Sequence, residues 1–436
     1  MQWLVTLPLE IVVATIMIDY WNSPVNKAVW VTMFWVLIVA INLFGVKGYG
    51  EAEFFFSIIK IVAVIGFMYA LFLVACSFFL EADLTHVLSI LGIVLIFGGT
   101  PGGEYVGTIY WRHPGAFASG FKGLCAVFVT AAFTCGGTEL VGLAAAETAN
   151  PRETLPKAIK QVFWRIMIFY IVSLTIVGLL VPYTEPRLIG GSGDASASPF
   201  VIAIENAGIK VLPSIMNVVM MVAVFSVGNS SIYASSRTLA ALADNGQAPQ
   251  IFSYIDRKGR PLVGIAFASS LGLLGYIATS KSQNEAFTWM LAVSGLSYIF
   301  TWGSICLAHI RFRRGWKLQG HSLDELIFQS QPGVIGSWIG LIFNCLVLVA
   351  QFWTAMWPIG QKTSAETFFG AYLAAPVVIC FYIGYKIVNK TQVVRAKDMD
   401  LVTGRRYEPN LAEILAEERA RKATWPIWKK FYRSVC

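Results

Sequence analysis

Residues 162–182 read VFWRIMIFYIVSLTIVGLLVP, an apolar block whose only formal charge is that of Arg165. A helix needs about 20 such residues to cross roughly 30 Å of hydrocarbon. Blocks of this kind recur along the chain, and of its 436 residues 56% are hydrophobic and only 13% are charged. Soluble domains usually carry about 25% charged residues. The sequence therefore predicts an all-α, polytopic membrane protein.

The apolar blocks define about ten membrane spans. A shorter run, Val87–Phe97, is too brief to span a bilayer alone. We predict that residues 1–388 form the membrane domain and that residues 389–436 form a tail. The predicted spans are Gln2–Ile18, Val29–Phe44, Phe54–Phe79, Cys125–Ala146, Val162–Pro182, Leu212–Leu239, Leu262–Thr279, Ala286–Ile310, Val334–Trp353 and Phe368–Ile387.

Basic residues cluster in alternate loops between these spans. They fall at residues 152–165, 237–260 and 311–317, and in the tail from Lys386 onward. Under the positive-inside rule these loops, and both ends of the chain, should be cytosolic. This placement accounts for the net charge of +8 without a nucleic-acid partner.

Motifs of enzymes and cofactor sites are absent from the sequence. The seven cysteines lie singly and the four histidines lack metal-ligand spacing, so no metal site is expected. No GxGxxG, Walker A, HExxH or Gly-x-Ser-x-Gly pattern occurs. We therefore expect neither an enzyme nor a bound cofactor.

An interruption is predicted within the span Cys125–Ala146, where residues 133–139 read FTCGGTE. Two adjacent glycines free the backbone from helical geometry. A broken helix at membrane depth is tolerated where it lines a cavity, and its half-helix ends there can bind the charged groups of a zwitterion. The alternative is a glycine-rich face for tight helix packing.

Charged and polar side chains inside other spans are further candidates for function. Lys60 lies within FFFSIIKIVAVIGF and is either a proton-exchanging lysine or one that snorkels to the interface. Glu10 follows Pro8 in the first span and is either functional or held by structural hydrogen bonds. Polar stripes comprise Ser226, Asn229, Ser230 and Ser231 in one span, and Ser294, Ser297 and Thr301 in another.

The tail ends in mixed aromatic and basic residues, followed by Cys436. Residues 410–422 (NLAEILAEERARK) favour a helix, and the aromatic and cationic side chains of residues 425–433 suit contact with membrane lipids. No CaaX box is present, so Cys436 is either a palmitoylation site or an unmodified thiol.

Four runs of the sequence carry a family resemblance: NLFGVKGYGEAEFFFSIIK at 42–60, TCGGTELVGLAAAETANPRETLPKAIKQVFWRI at 134–166, SVGNSSIYASSRTLAALADNGQAP at 226–249 and HIRFRRGW at 309–316. The chain resembles fungal amino-acid permeases of the amino acid–polyamine–organocation superfamily, and general amino-acid permeases most. The resemblance implies proton-coupled amino-acid symport by alternating access. It also implies a LeuT-type inverted-repeat fold in the plasma membrane.

The resemblance assigns residues 134–137 to an unwound helix centre that binds the substrate's backbone groups. Lys60 occupies the place of a lysine implicated in proton coupling. Glu10 and Glu139 correspond to polar or specificity-setting groups. Ser297 and Thr301 fall on the tenth of the family's twelve spans, where side-chain selectivity is partly set. The candidate substrate-binding residues are Thr134, Cys135, Gly136, Gly137, Thr138, Glu139, Glu10, Ser297 and Thr301.

The chain departs from the family pattern in two ways. The family has twelve spans, and this chain begins at the third, so the partner of the break at 136–137 is expected to be missing. Met68–Ser89 reads as an insertion, which we interpret as a retained intron or another gene-model artefact. The alternative to a transporter is therefore a truncated, non-transporting permease remnant.

Overall fold

A computed structural model describes residues 1–69, 107–144, 147–148, 150–189, 198–206, 212–280, 282–326, 328–403, 417, 420–421 and 424–426. Every regular element within these ranges is helical, which confirms the all-α prediction. The α-helices, numbered in chain order, are α1 Gln2–Asp19, α2 Lys27–Leu43, α3 Gly45–Tyr69, α4 Gly120–Ala126, α5 Phe128–Thr134, α6 Leu140–Ala144, α7 Pro151–Ile166, α8 Ser173–Leu180, α9 Pro186–Ile189, α10 Pro199–Asn206, α11 Leu212–Asp244, α12 Leu262–Gly272, α13 Gln283–Leu318, α14 Gly333–Met356, α15 Ala365–Tyr372 and α16 Ala374–Val388. The π-helical segments are Trp111–Gly115 and Met167–Val172, and the 3₁₀ segments are Gln250–Ser253, Leu273–Thr279 and Leu323–Glu325.

Six helical stretches of the described residues are long and apolar enough to cross a bilayer. The bent pair of α15 and α16, whose axes differ by 67°, is a seventh. The shorter apolar helix Lys27–Leu43 matches the predicted span Val29–Phe44, and Gly120–Thr134 overlaps the first half of the predicted span Cys125–Ala146. The polytopic prediction is therefore confirmed. The six stretches are Gln2–Asp19, Thr154–Leu180, Leu212–Asp244, Leu262–Thr279, Gln283–Leu318 and Gly333–Met356.

The last predicted span, Phe368–Ile387, is not one continuous helix. α15 ends at Tyr372 and α16 begins at Ala374. Pro376 has no N–H to donate to the carbonyl of Tyr372, and its ring clashes with that carbonyl. Sharp helix kinks usually arise at such a proline, so Pro376 accounts for the bend.

α3 begins earlier than hydropathy indicates. The predicted span starts at Phe54, whereas the helix extends back to Gly45. Residues 45–53 (GVKGYGEAE) are helical although they are polar. An apolar block therefore marks only the part of this helix that suits the hydrocarbon layer.

Several predictions fall on residues that the structure does not describe. The end of the span Phe54–Phe79, the run Val87–Phe97, nearly all of Met68–Ser89, and Cys436 lie outside the described residues. Most of the tail beyond residue 403 also lies outside them.

The chain divides into two compact units, each built from two chain segments. The first unit comprises Met1–Leu124 and Arg165–Ser294, and the second comprises Cys125–Trp164 and Gly295–Cys436. The predicted division into a membrane domain and a tail at residue 388 stays a prediction.

In the first unit, α1 packs against α11 and α12 around a buried apolar cluster. Glycines allow close approach of the helices. A Cβ on Gly275 would lie 2.7 Å from Cγ2 of Ile11, and a Cβ on Gly264 would lie 2.9 Å from the carbonyl oxygen of Ser236. Small residues at helix contacts are typical of membrane proteins, because van der Waals packing drives the association of helices in lipid.

In the second unit, α14 presents large apolar side chains to its surroundings. Ile335 is 74% exposed, Ile339 64%, Leu346 60% and Val349 65%. A contiguous exposed apolar surface of this kind is rare on soluble monomers and marks an interaction or membrane surface. The exposure agrees with a helix that faces lipid.

Candidate functional site

The predicted interruption of the span Cys125–Ala146 is present in the second unit. α5 ends at Thr134, α6 begins at Leu140, and residues 135–139 between them form turns. Gly137 has φ +88°, in the left-handed region that favours glycine. The N–H of Leu140 donates to the carbonyl of Gly137 at 3.1 Å, where helical structure resumes. The prediction of a broken helix is thus confirmed.

Gly136 lies directly against the ring of Tyr298 on α13. An ideal Cβ on Gly136 would lie 2.4 Å from Cζ and 2.8 Å from Cε1 and Cε2 of that ring. Tyr298 is only 2% exposed. A side chain at this position would displace the ring or the backbone of the break, because the ring occupies its space. Tight packing therefore describes this face of Gly136, while binding by the backbone groups of the break stays a prediction.

Glu139, at the end of the break, contacts a second aromatic residue of α13. Its Oε2 accepts a hydrogen bond from Nε1 of Trp302 at 3.3 Å. The ring centroids of Tyr298 and Trp302 are 5.8 Å apart, and the ring of Phe133 meets Tyr298 edge-on at 6.2 Å. Small-molecule sites are commonly lined by aromatic side chains with a few polar groups, and this cluster contains both.

Two of the other candidate residues of this unit use their hydroxyl groups within their own helices. Thr134 Oγ1 donates at 2.9 Å to the carbonyl four residues earlier, and Thr301 Oγ1 donates at 3.0 Å to the carbonyl of Ser297. Such bonds satisfy a hydroxyl within its own helix. Ser297 is buried, and Cys135 and Thr138 are half-buried. Their part in substrate binding stays a prediction.

Tyr298 and Trp302 are not among the residues predicted from the sequence, although both contact the helix break. Residues four apart lie on the same face of a helix. The selected residues Ser297 and Thr301 each directly precede one of these aromatics. The spacing of Tyr298 and Trp302, four residues apart, was the sequence pattern that could have identified them.

Lys60 lies in the first unit and contacts one of the predicted polar stripes. Its Nζ donates a hydrogen bond to Oγ of Ser226 on α11 at 2.7 Å. Ser226 is only 3% exposed. The ammonium is therefore directed at a neighbouring helix, and its part in proton exchange stays a prediction.

Glu10 also lies in the first unit, near the middle of α1 and beside Pro8. Glu10 is only 5% exposed, and no described residue forms a hydrogen bond with its carboxylate. It is close to α11, since a Cβ on Gly228 would lie 3.7 Å from the Cβ of Glu10. The alternative of a structural hydrogen bond thus has no support among the described residues.

Comparison with known proteins identifies the family. A family model described as Amino acid permease matches residues 1–397. The general amino-acid permease GAP2 of Candida albicans is 55% identical over 443 residues, which cover 100% of this chain and 72% of that protein. The general amino-acid permease GAP1 of Saccharomyces cerevisiae is 52% identical over 447 residues, covering 100% of this chain and 71% of that protein. The histidine permease of Saccharomyces cerevisiae is 49% identical over 415 residues, covering 93% of this chain and 65% of that protein. With its many apolar helices and a broken helix at residues 135–139, the chain therefore belongs to the amino acid permease family.

Proposed function

We propose that this chain carries amino acids across the membrane by proton-coupled symport with alternating access. The observation that carries the proposal is the helix break at residues 135–139 within an apolar helix. The break interrupts the helix at residues 135–139, and the half-helix ends of such breaks at membrane depth can bind the charged groups of a substrate. An amino acid offers an ammonium and a carboxylate to them. The names of the relatives, general amino-acid permeases, support the same substrate class.

Proton coupling is proposed to involve Lys60. An ionisable residue inside a span is a functional candidate by default, and the Lys60 ammonium is directed at Ser226 within the first unit. A lysine in this position can hold a proton in one state of the cycle and release it in another. Protons are therefore proposed as the coupling ion.

The remaining assignments concern location. We propose a plasma-membrane location with both chain ends in the cytosol, on the basis of the basic loops at residues 152–165, 237–260 and 311–317. Residues 389–436 would then lie at the cytosolic surface, with their aromatic and basic end against lipid. The comparisons do not favour a non-transporting remnant, because relatives named as permeases match the whole chain.

Uptake by purified full-length chain in liposomes tests the proposal. The probe is a mixture of ¹⁴C-labelled L-amino acids, with an inward proton gradient either imposed or collapsed. We expect accumulation only with the gradient. Lys60→Met should abolish gradient-driven accumulation but retain exchange of labelled for unlabelled amino acid, because binding would survive loss of the proton site.

Lys47→Met is the matched control, because Lys47 is an exposed lysine on the same helix, α3. It should accumulate amino acids as the unaltered chain does. Gradient-dependent uptake by Lys60→Met equal to that of the unaltered chain would reject Lys60 as the coupling residue. Absence of amino-acid uptake by the unaltered chain would reject transport itself.

A further inference from the structure

A second carboxylate, Glu53, lies on the same helix as Lys60. The two residues are about two turns apart on α3, or roughly 10 Å along its axis. Glu53 Oε2 accepts a hydrogen bond from Ser226 Oγ at 2.6 Å, and Glu53 Oε1 accepts one from Asn229 Nδ2 at 2.9 Å. Ser230 Oγ donates a longer bond of 3.4 Å to Oε1. The carboxylate is thus bound by three side chains of α11.

Ser226 connects the lysine to this carboxylate. Lys60 Nζ donates to Ser226 Oγ at 2.7 Å, and the same hydroxyl donates to Glu53 Oε2 at 2.6 Å. The three groups therefore form an unbroken hydrogen-bonded chain from cation to anion. Because Ser226 is 3% exposed, its hydroxyl is largely shielded from bulk water.

A second layer of contacts holds this arrangement in place. Asn42 Nδ2 on α2 donates to Asn229 Oδ1 at 2.8 Å and to the carbonyl of Ile38 at 3.0 Å. The carbonyl side of the Asn229 amide is thereby occupied, and its NH₂ group is left to donate to Glu53. Asn229 is fully buried and Asn42 is 4% exposed. Three helices thus fix the position of one carboxylate.

Few other charged groups among the described residues lie near the hydrogen-bonded series of Lys60, Ser226 and Glu53. The Arg165 guanidinium repels the Lys60 ammonium, while Glu53 attracts it. Among the described residues, α2 and α11 pack most extensively on α3. α2 carries only Lys27, its first residue. α11 carries Arg237, whose Cζ lies 3.7 Å from the ring centroid of Tyr233, and Asp244, its last residue.

We propose that Ser226 relays a proton from Lys60 to Glu53. This relay rests on the proposed proton-coupled transport. The Lys60 ammonium gives a proton to Ser226 Oγ as the hydroxyl proton of Ser226 passes to Glu53 Oε2. The lysine becomes a neutral amine, the glutamate becomes a neutral acid, and the serine is unchanged. The step removes a cation and an anion together, so neither group is left as an unpaired charge in a low-dielectric environment.

The relay also has a direction relative to the membrane. Glu53 lies nearer than Lys60 to the start of α3 at Gly45. Just before this point, the carbonyl of Leu43 accepts a hydrogen bond from Arg260, in the loop after α11. That loop belongs to a basic region proposed to be cytosolic, so transfer to Glu53 moves the proton about 10 Å toward the cytosol. Glu53 would then be the group that releases it.

Ser226→Ala and Glu53→Gln test the relay in full-length chain reconstituted in liposomes. Two quantities are measured with the ¹⁴C-labelled amino-acid mixture: exchange across the membrane without a gradient, and substrate-driven proton entry reported by an internal pH dye. We expect each variant to exchange amino acids within about 2-fold of the unaltered chain and to admit protons ~100-fold more slowly, as when a positioned proton-transfer group is removed. Ser226→Thr keeps a hydroxyl and should restore proton entry.

Ser231→Ala is the matched control. Ser231 is a buried serine on the same helix, but its hydroxyl bonds only to the carbonyl of Gly228 among the described residues. It should leave both quantities unchanged. Thermal unfolding of each variant identifies any that are misfolded, and Glu53→Gln provides a second variant if Ser226→Ala does not fold.

Three results would overturn the relay, and the third of them would also reject proton symport. Proton entry as fast as in the unaltered chain, in both Ser226→Ala and Glu53→Gln, rejects the relay but leaves symport intact. Equal loss of exchange and proton entry in folded Ser226→Ala assigns Ser226 to substrate binding instead. Absence of substrate-driven proton entry in the unaltered chain rejects proton symport, and with it the relay.

Discussion

Replacing Gly136 with alanine adds one methyl group where the ring of Tyr298 already lies. The new Cβ would be 2.4 Å from Cζ of Tyr298, whereas carbon atoms pack favourably at about 3.5–4.0 Å. The ring or the turn at residues 135–139 must therefore move by about 1 Å. Because Tyr298 is 2% exposed, the ring cannot yield toward solvent. The backbone of the break is then the part that gives way.

The free-energy change follows from this overlap. Overpacking a buried site typically costs about 1–3 kcal/mol. If the displaced backbone is the part that binds substrate, the same amount appears as about 5- to 150-fold weaker binding. If the break does not bind substrate, the change appears in the free energy of unfolding alone.

The assay measures half-saturation of ¹⁴C-labelled amino-acid uptake together with thermal unfolding. Gly142→Ala is the matched control, since Gly142 lies on α6 and a Cβ there has nothing within 4 Å. It should shift half-saturation by less than about 2-fold, because it creates no overlap. The double variant Gly136→Ala, Tyr298→Leu removes the ring and should recover part of the loss, as a coupled pair does in a double-mutant cycle.

Two results would refute the reasoning. Gly136→Ala with the half-saturation and melting temperature of the unaltered chain would show that the ring does not restrict this position. Additive effects in the double-mutant cycle would show that Tyr298 is not the group responsible. Weakened binding with an unchanged melting temperature would support a substrate site at the break.

Three further predictions concern single side chains. Glu10→Gln should leave the melting temperature unchanged or raise it, since an unpaired buried carboxylate destabilises the fold. It should also alter the competition between cationic and neutral amino acids for uptake. A large loss of stability would contradict the prediction. Trp302→Phe removes the hydrogen bond to Glu139 and should raise the half-saturation concentration by up to about 10-fold, equivalent to ~1.5 kcal/mol, with no change expected if Glu139 lies outside the site. Hydrogen bonds from Arg260 hold the pKa of Asp256 below its usual range in the folded chain. The ionised carboxylate therefore stabilises its loop above about pH 4, the pKa of an unfolded aspartate. This contribution is lost as the pH falls through the lower pKa of the folded state. Asp256→Asn should therefore flatten the acid side of the melting temperature against pH, and an unchanged profile would exclude this contribution.

The sequence by itself determined the class of the protein and the position of the helix break. Bilayer thickness sets the length of a span whatever its neighbours are, so the apolar blocks predicted helices such as Leu212–Asp244 and Gly333–Met356 to within a few turns. The break at Gly136–Gly137 was also predictable, because glycine acts on its own backbone. The kink at Pro376 had an equally local signal that the hydropathy pattern concealed.

Only the tertiary structure decided which polar groups meet. Glu139 contacts Trp302 across 163 residues of sequence, and Lys60 contacts Ser226 across 166. Glu53, which hydropathy placed just outside a span, proved to lie between three helices with a partner 173 residues away. Such pairs are hidden in the sequence because lipid-facing and helix-facing positions are both apolar. The direction in which each helix faces is set by packing with its neighbours, which no single apolar block specifies.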